Sequence, residues 1–268
     1  MKVCIIGGGF IGSTIAKALE EMEEIETVFV LDKYEDRVKK LAEEYKKVSP
    51  TPDLASVVEK VDLVIESATQ AAVKEYAPVA LESGKDLMVL SVGAFVDQNF
   101  WTRCKELAKE NDCRIYIPSG AICGTDGLHA ASVGRIDEVI LISYKPPSAL
   151  KDVEYLKKKK IDLDGIERAK VVFDGHAEDA VRYFPRNINV AATISLTGKG
   201  FEKTRIRIVA DPNIKRNIHR LIVKGEFGEI ECNARNLPSR KNPRTSVLAA
   251  LSAIATVKKI VGNVWVGA

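Results

Sequence analysis

The residues of this chain whose types and spacing could do chemistry are a glycine turn, three histidines and a few isolated cations. The turn Gly7-Gly8-Gly9-Phe10-Ile11-Gly12 follows directly on the apolar run Val3 to Ile6. Asp32 stands twenty positions beyond Gly12, closing a second apolar run, Thr27 to Leu31. Gly7 suits a tight turn. Gly9 leaves room for a pyrophosphate to approach the backbone, and Gly12 lets the following helix lie close to the strand. The free N–H groups and dipole at that helix start favour a phosphate. Asp32 can accept hydrogen bonds from an adenosine ribose. Strand, G-x-G-x-x-G, helix, strand and acid together are the context of a dinucleotide-binding fingerprint, with Phe10 and Ile11 counted among its contacts. A carboxylate at 32 suits a free 2′-hydroxyl and repels a 2′-phosphate, which favours NAD. Lys33 and Arg37 lie close enough to moderate that repulsion and leave NADP open.

An ordinary imidazole titrates near pH ~6.5 and can give or take a proton at neutral pH. His129, in DGLHAAS, reads as an exposed or satisfied helix residue. His176, in a Gly-His turn beside Glu178 and Asp179, reads as a solvated loop residue. His219 alternates with Leu221 and Val223 on one strand face, and is equally readable as a half-buried sheet histidine or as an acid–base group. Arg186, Lys241 and Arg244 are cations suited to carboxylates, as is the helix start after Asn242. Each reads equally as a surface charge.

The elements that would position these groups change character partway along the chain. Up to Ile117, strands (Val61 to Ile65, Leu87 to Val92, Cys113 to Ile117) alternate with helices (Val38 to Tyr45, Leu54 to Val58, Gln70 to Glu82, Gln98 to Glu110). Ser49 to Pro52 reads as a loop, and Pro78 argues for a kink or two short helices. This alternation predicts a Rossmann-type, doubly wound parallel sheet in an α/β protein. From Pro118 the chain turns glycine-rich, with Ser119 to Gly127 at the carboxyl edge where such sheets bind ligands. Strands at Val139 to Tyr144, Lys170 to Phe173, Arg205 to Val209, Ile218 to Val223 and Gly228 to Asn233 follow, the last two joined as a hairpin. Helices at Ala177 to Tyr183 and Ile188 to Leu196 complete a second α+β domain on a mainly antiparallel sheet. A last helix, Thr245 to Lys258, and the run Ile260 to Val266 are expected to return to the first domain. The expected division is 1–119 joined by 242–268 for the dinucleotide, and 120–241 for catalysis, substrate and dimerisation.

Composition narrows the function classes. The 268 residues carry 40 basic and 37 acidic side chains, a net of +3, which gives no reason to propose nucleic acid. Five scattered cysteines without a C-x-x-C pair read as reduced thiols of a cytoplasmic protein. Three unclustered histidines argue against a metal, no apolar run reaches membrane-spanning length, and the N-terminus enters a strand without a signal peptide.

The chain resembles the L-aspartate dehydrogenase family along nearly its whole length. The resemblance rests on GGGFIG, KDLMVLSVGAF (85–95), YIPSGAICG (116–124), FPRNINVAAT (184–193), NIHRLIVKGEFGEIE (217–231) and NPRTSVLAALSA (242–253). It implies a Rossmann domain, an active site in the cleft beside a second domain, and a homodimer. It also implies interconversion of L-aspartate with oxaloacetate and ammonia through iminoaspartate, using NAD or NADP and feeding NAD biosynthesis. By the same resemblance His219 is the catalytic residue, and Ala121 and Asn189 meet the nicotinamide side of the cofactor. On chemical grounds, apart from the resemblance, Ser119 would help align the nicotinamide with the substrate, and Arg186, Asn187 and Arg244 are candidates for the substrate's carboxylates. Cys123 departs from a glycine or alanine common at that place, and the segment 155–167 looks like a local variation.

Rival expectations differ by class. A glucose–fructose oxidoreductase type would show Glu-Lys-Pro where this chain has Ser91-Val92-Gly93. Homoserine dehydrogenase-like and dihydrodipicolinate reductase-like enzymes share the domain layout. A non-catalytic NAD-binding regulator would need an interaction module, which is not visible.

Overall fold

The computed structural model describes residues 1–184, 188–237 and 246–267, which divide into two compact units. The first comprises Met1–Pro118 and Ala249–Trp265; the second comprises Ser119–Leu248 with the residues from Val266 on.

In the first unit the chain runs β1 (Lys2–Ile6), α1 (Phe10–Glu20), β2 (Thr27–Leu31), α2 (Glu35–Glu44), β3 (Val48–Pro50), β4 (Leu63–Glu66), α3 (Gln70–Glu82), β5 (Asp86–Val89), α4 (Gln98–Glu110) and β6 (Ile115–Tyr116). The strands form one parallel sheet in the order β3-β2-β1-β4-β5-β6. That is the doubly wound order of dinucleotide-binding sheets. β1 and β4 are buried along almost their whole length, as strands covered on both faces must be. Thr69 and Asp97 cap α3 and α4, their side chains accepting from Ala72 N and Phe100 N.

Three local expectations are corrected here. Ser49-Pro50 is not loop but part of β3, held parallel to β2 from Val48 to Pro50. As the sheet's edge, β3 tolerates a residue without an N–H. Pro78 does not divide α3, which runs unbroken from Gln70 to Glu82. Leu54 to Val57 form turns, and the helical character is confined to a single 3-10 turn at Val58–Lys60.

The second unit contains α5 (Thr125–Ala131), β7 (Ile136–Lys145), α6 (Glu154–Lys158), β8 (Lys170–His176), α7 (Ala177–Tyr183), α8 (Asn189–Thr197), β9 (Thr204–Ala210), β10 (Asn217–Gly225) and β11 (Gly228–Asn236). Its sheet order is β11-β10-β7-β9-β8, antiparallel except for the β7–β9 pair. One face is thoroughly buried. It presents Val139, Leu141, Ser143 and Lys145 of β7, His219, Leu221 and Val223 of β10, and Thr204, Ile206, Ile208 and Ala210 of β9. α7 and α8 pack over β9 on this face, and α5 lies against β10 and β11 through Gly124 and Gly127. On the other face Ile140, Tyr144, Ile218 and Ile222 are only half-buried.

The last helix, α9 (Val247–Val261), supplies Ala253 and Val257 to the core of the first unit, with Ile254, Ile260 and Val261 partly buried against it. Beyond them Val264, Trp265 and Val266 are exposed, so the closing run packs only through its start. Among the described residues, no helix is long and apolar enough to cross a membrane, and no three potential metal ligands cluster.

Candidate active site

The glycine turn of the first unit sorts into the three roles its spacing suggests. Gly7 has a φ of +100°, and a Cβ there would press on Ala68 at 2.9 Å. A Cβ on Gly12 would run into the Gly7 carbonyl oxygen, so α1 can lie this close only with glycine. A Cβ on Gly9 would meet nothing within 4 Å, so the backbone there borders open space at the start of α1. That is the cradle a pyrophosphate requires, and the turn fits a dinucleotide. Phe10 and Ile11 open α1 beside it.

Asp32 braces the same turn. Its Oδ2 accepts from Gly8 N at 2.7 Å and its Oδ1 from Tyr34 N at 2.8 Å. Arg37 Nη1 stands 3.5 Å from Oδ2, with its guanidinium 4.4 Å over the Tyr34 ring. Lys33 also lies over that ring.

Sequence reasoning missed Glu66, which ends β4 and is 1% exposed. Its Oε1 accepts from Ala68 N at 2.8 Å and from Ser91 Oγ at 2.9 Å, and its Oε2 accepts from Ser91 N at 2.9 Å. The carboxylate thus ties together the loops that leave β4 and β5. Burial pushes its pKa above the ordinary carboxylate value, and the hydrogen bonds from Ser91, Ala68 and Thr69 draw it back. An acid closing an otherwise apolar strand, LVIE, is the signal that could have found it.

In the second unit His219 is 5% exposed, on the covered face of β10. Its strand register sets it opposite Ser143 of β7, and Ser143 Oγ lies 2.9 Å from His219 Nδ1. With Nδ1 engaged, Nε2 is the ring nitrogen left for other chemistry. Burial, and after it the charge of Lys145, hold the His219 pKa down to about 3. Lys145 shares the Ser143 side of β7, is 4% exposed, and is pulled by burial from 10.5 down to about 8. The imidazole is therefore neutral at physiological pH, beside a lysine that still carries a proton.

Lys145 was also missed, because Pro146-Pro147 drew the strand's end one residue early. The alternation Val139, Leu141, Ser143, Lys145 was the available signal: a lysine continuing an inward apolar face.

Ala121 is buried, and its carbonyl accepts from Asn236 Nδ2 at 2.7 Å. Asn236 ends β11 opposite Asn217, two residues before His219 on β10. Ala121, Asn236, His219, Ser143 and Lys145 thus gather at one end of the buried face. Ser119 is half-buried at the start of the same loop, and Asn189 begins α8 with an exposed side chain. Arg186, Asn187, Lys241, Asn242 and Arg244 lie outside the described residues. His129 and His176 are exposed. Cys123 is exposed too, with its thiol within hydrogen-bonding reach of Cys232, whose pKa burial raises.

A dinucleotide cradle in one unit, and in the other an oriented neutral imidazole beside a buried ammonium, define an oxidoreductase of the nicotinamide-nucleotide kind. Residues 7–118 match the family model described as the NAD binding domain of homoserine dehydrogenase, and residues 126–260 match that of the aspartate dehydrogenase C-terminal domain. Proteins named L-aspartate dehydrogenase from Methanosarcina barkeri and Methanosarcina acetivorans are each 45% identical over 100% of this chain and 99% of their own. A crystal structure of aspartate dehydrogenase from Thermotoga maritima superposes with a TM-score of 0.79 at 31% identity, covering 100% of this chain and 99% of that one. The chain belongs to the aspartate dehydrogenase family.

Proposed function

We propose that this protein is an NAD-dependent L-aspartate dehydrogenase. It interconverts L-aspartate and oxaloacetate plus ammonia through iminoaspartate, with NADP as the weaker cofactor. The observation that carries this reading is the His219 arrangement: an oriented, uncharged imidazole in the unit that matches the C-terminal domain of aspartate dehydrogenases. Gly7, Gly9, Phe10, Ile11 and Gly12 would hold the pyrophosphate, with Asp32 on the adenosine ribose. When bound, the nicotinamide takes or returns the hydride at the amino acid's α-carbon. The chain's own work is positioning and proton transfer. Hydrating the imine, and collapsing the carbinolamine to ketone and ammonia, each require a proton to move. His219 Nε2 is the group proposed to relay it, with Ser143 fixing the ring. Ser119, Ala121 and Asn189 position the reacting ends, and Arg186, Asn187 and Arg244 are the further candidates for the substrate's carboxylates.

The half-buried apolar face of the second sheet, with Ile140, Tyr144, Ile218 and Ile222, supports a homodimer. Light scattering on the purified protein checks it. The free cysteines support a cytoplasmic location. Release of iminoaspartate would supply NAD biosynthesis.

The test is turnover with L-aspartate, and with oxaloacetate plus ammonium, followed by absorbance of the reduced cofactor. Homoserine and a dihydrodipicolinate-type substrate serve as comparisons. His219→Ala should lower kcat by about a hundredfold to ten-thousandfold, the usual worth of one positioned acid–base group, while NAD binding holds. Preference for a comparison substrate would overturn the assignment.

A further inference from the structure

We propose that Lys145 is the cation that recognises a carboxylate of the substrate, so that the site's positive charge rests on the lysine and its proton-transfer capacity on His219. This deepens the dehydrogenase reading and rests on it. Lys145 closes β7 on the same buried face as Ser143, whose hydroxyl meets His219. Its neighbour on β9 is Ala210, and its charge is felt by His219. In so dry a setting an ammonium and a carboxylate attract each other far more strongly than in water. A dicarboxylate brings that partner.

The division of labour also follows from chemistry. An imidazolium could bind the carboxylate, but it could not then accept a proton. A neutral imidazole beside an ammonium does both tasks with two groups. Burial leaves Lys145 at about 8, while burial and the neighbouring lysine hold His219 at about 3, so the pair's first proton belongs to the lysine. Among the described residues, the other titratable groups on this face or on elements against it are Lys170 on β8, Cys232 on β11, Asp126 and His129 on α5, and Glu178, Asp179, Arg182 and Tyr183 on α7. None of these is buried, and α8 carries no titratable side chain.

The experiment compares the full-length wild type with Lys145→Met and Lys145→Arg. It reads the KM for aspartate, kcat, and calorimetric binding of succinate, a dicarboxylate that does not react. Loss of one charge-assisted contact predicts a KM and a succinate Kd raised about tenfold to 150-fold in Lys145→Met. Lys145→Arg should recover most of that affinity. NAD binding, read separately, should be unchanged in all three, and an unchanged melting temperature and circular dichroism spectrum report that the second unit is intact. Wild-type affinity for succinate should fall as pH rises past about 8. That limb should vanish in Lys145→Met and move to higher pH in Lys145→Arg. Lysine-dependent succinate binding without aspartate turnover by the wild type would leave this assignment standing and remove the dehydrogenase reading. Wild-type succinate affinity in Lys145→Met, with the alkaline limb in place, would overturn it, as would a loss confined to kcat.

Discussion

Ser143 and His219 are register partners on adjacent antiparallel strands, and the serine hydroxyl meets the imidazole Nδ1 at 2.9 Å. The backbone pairing itself therefore delivers the group that orients the ring. Ser143→Ala should leave the strands paired while freeing the ring to turn. Losing the partner of a buried polar group costs about 1–3 kcal/mol. We expect kcat/KM to fall about tenfold to a hundredfold on that basis, with NAD affinity unchanged. Steady-state kinetics with Ser143→Thr alongside check the role of the hydroxyl: threonine should retain more activity than alanine.

The depressed basicity of His219 has a consequence for acid stability. Its pKa is about 3 in the folded protein, against 6.5 for an unperturbed imidazole. Between those limits the unfolded chain binds a proton that the folded one refuses. Stability then rises with pH across the window and is lost on acidification through it, by about 1.4 kcal/mol per pH unit at most. His219→Gln, which cannot titrate, should show a flatter profile. Urea unfolding of both proteins at pH 4 and pH 6.5 measures the difference, and equal slopes would contradict the assignment.

Asp32 braces the glycine turn, and on the proposed function it also meets the adenosine ribose; its substitution should reveal both. Asp32→Ser removes the repulsion of a 2′-phosphate and should shift preference towards NADP. It also releases the Gly8 and Tyr34 N–H groups that the carboxylate now holds. NAD affinity should therefore drop about tenfold or more, as loss of charge-assisted hydrogen bonds implies. Calorimetry with both cofactors tests this; an unmoved preference would show that the ribose lies elsewhere.

Two glycines of one turn should fail in different ways. Gly9→Val places its side chain in open space, so the fold should persist while NAD binding disappears. Gly12→Ala drives a methyl into the Gly7 carbonyl, so the first unit should lose stability as well as binding. Melting temperature and cofactor titration together separate the outcomes.

Glu66 accepts hydrogen bonds from both the β4 and β5 loops, and glutamine cannot replace it. Glu66→Gln turns an NH2 towards groups that are themselves donors. The expected loss is about 1–3 kcal/mol of stability for buried partners left unmatched, read by urea denaturation. The fold should remain Rossmann-type by circular dichroism.

How much was legible in the sequence depended on whether local signals agreed with one another. The glycine turn and α4 were readable because periodicity and turn residues coincide there; α3 was bounded correctly, but its Pro78 argued for a break that the helix does not make. The break after Pro118 was visible as a change of composition and falls where the compact units divide. β3 was not readable: three residues ending in proline carry almost no strand signal, and only pairing with β2 makes them one. His219 and Ala121 could be named as candidates, but the buried contacts of Lys145, Glu66 and Asn236 could not. Those come from burial and from partners distant in sequence, such as the 115-residue separation between Ala121 and Asn236. A polar residue at the end of an apolar strand looks like the place where the strand meets water; here those ends turn inward.

The core of the first unit is completed by Ala253 and Val257, although residues 119 to 248 belong to the other unit. On the ribosome, the six parallel strands are therefore all translated long before the helix that finishes their packing. The nascent first unit must wait with an unsealed apolar surface while the second is synthesised. This order makes α9 the last contributor to cooperativity, and the segment through which truncated translation products would be sensed as incomplete.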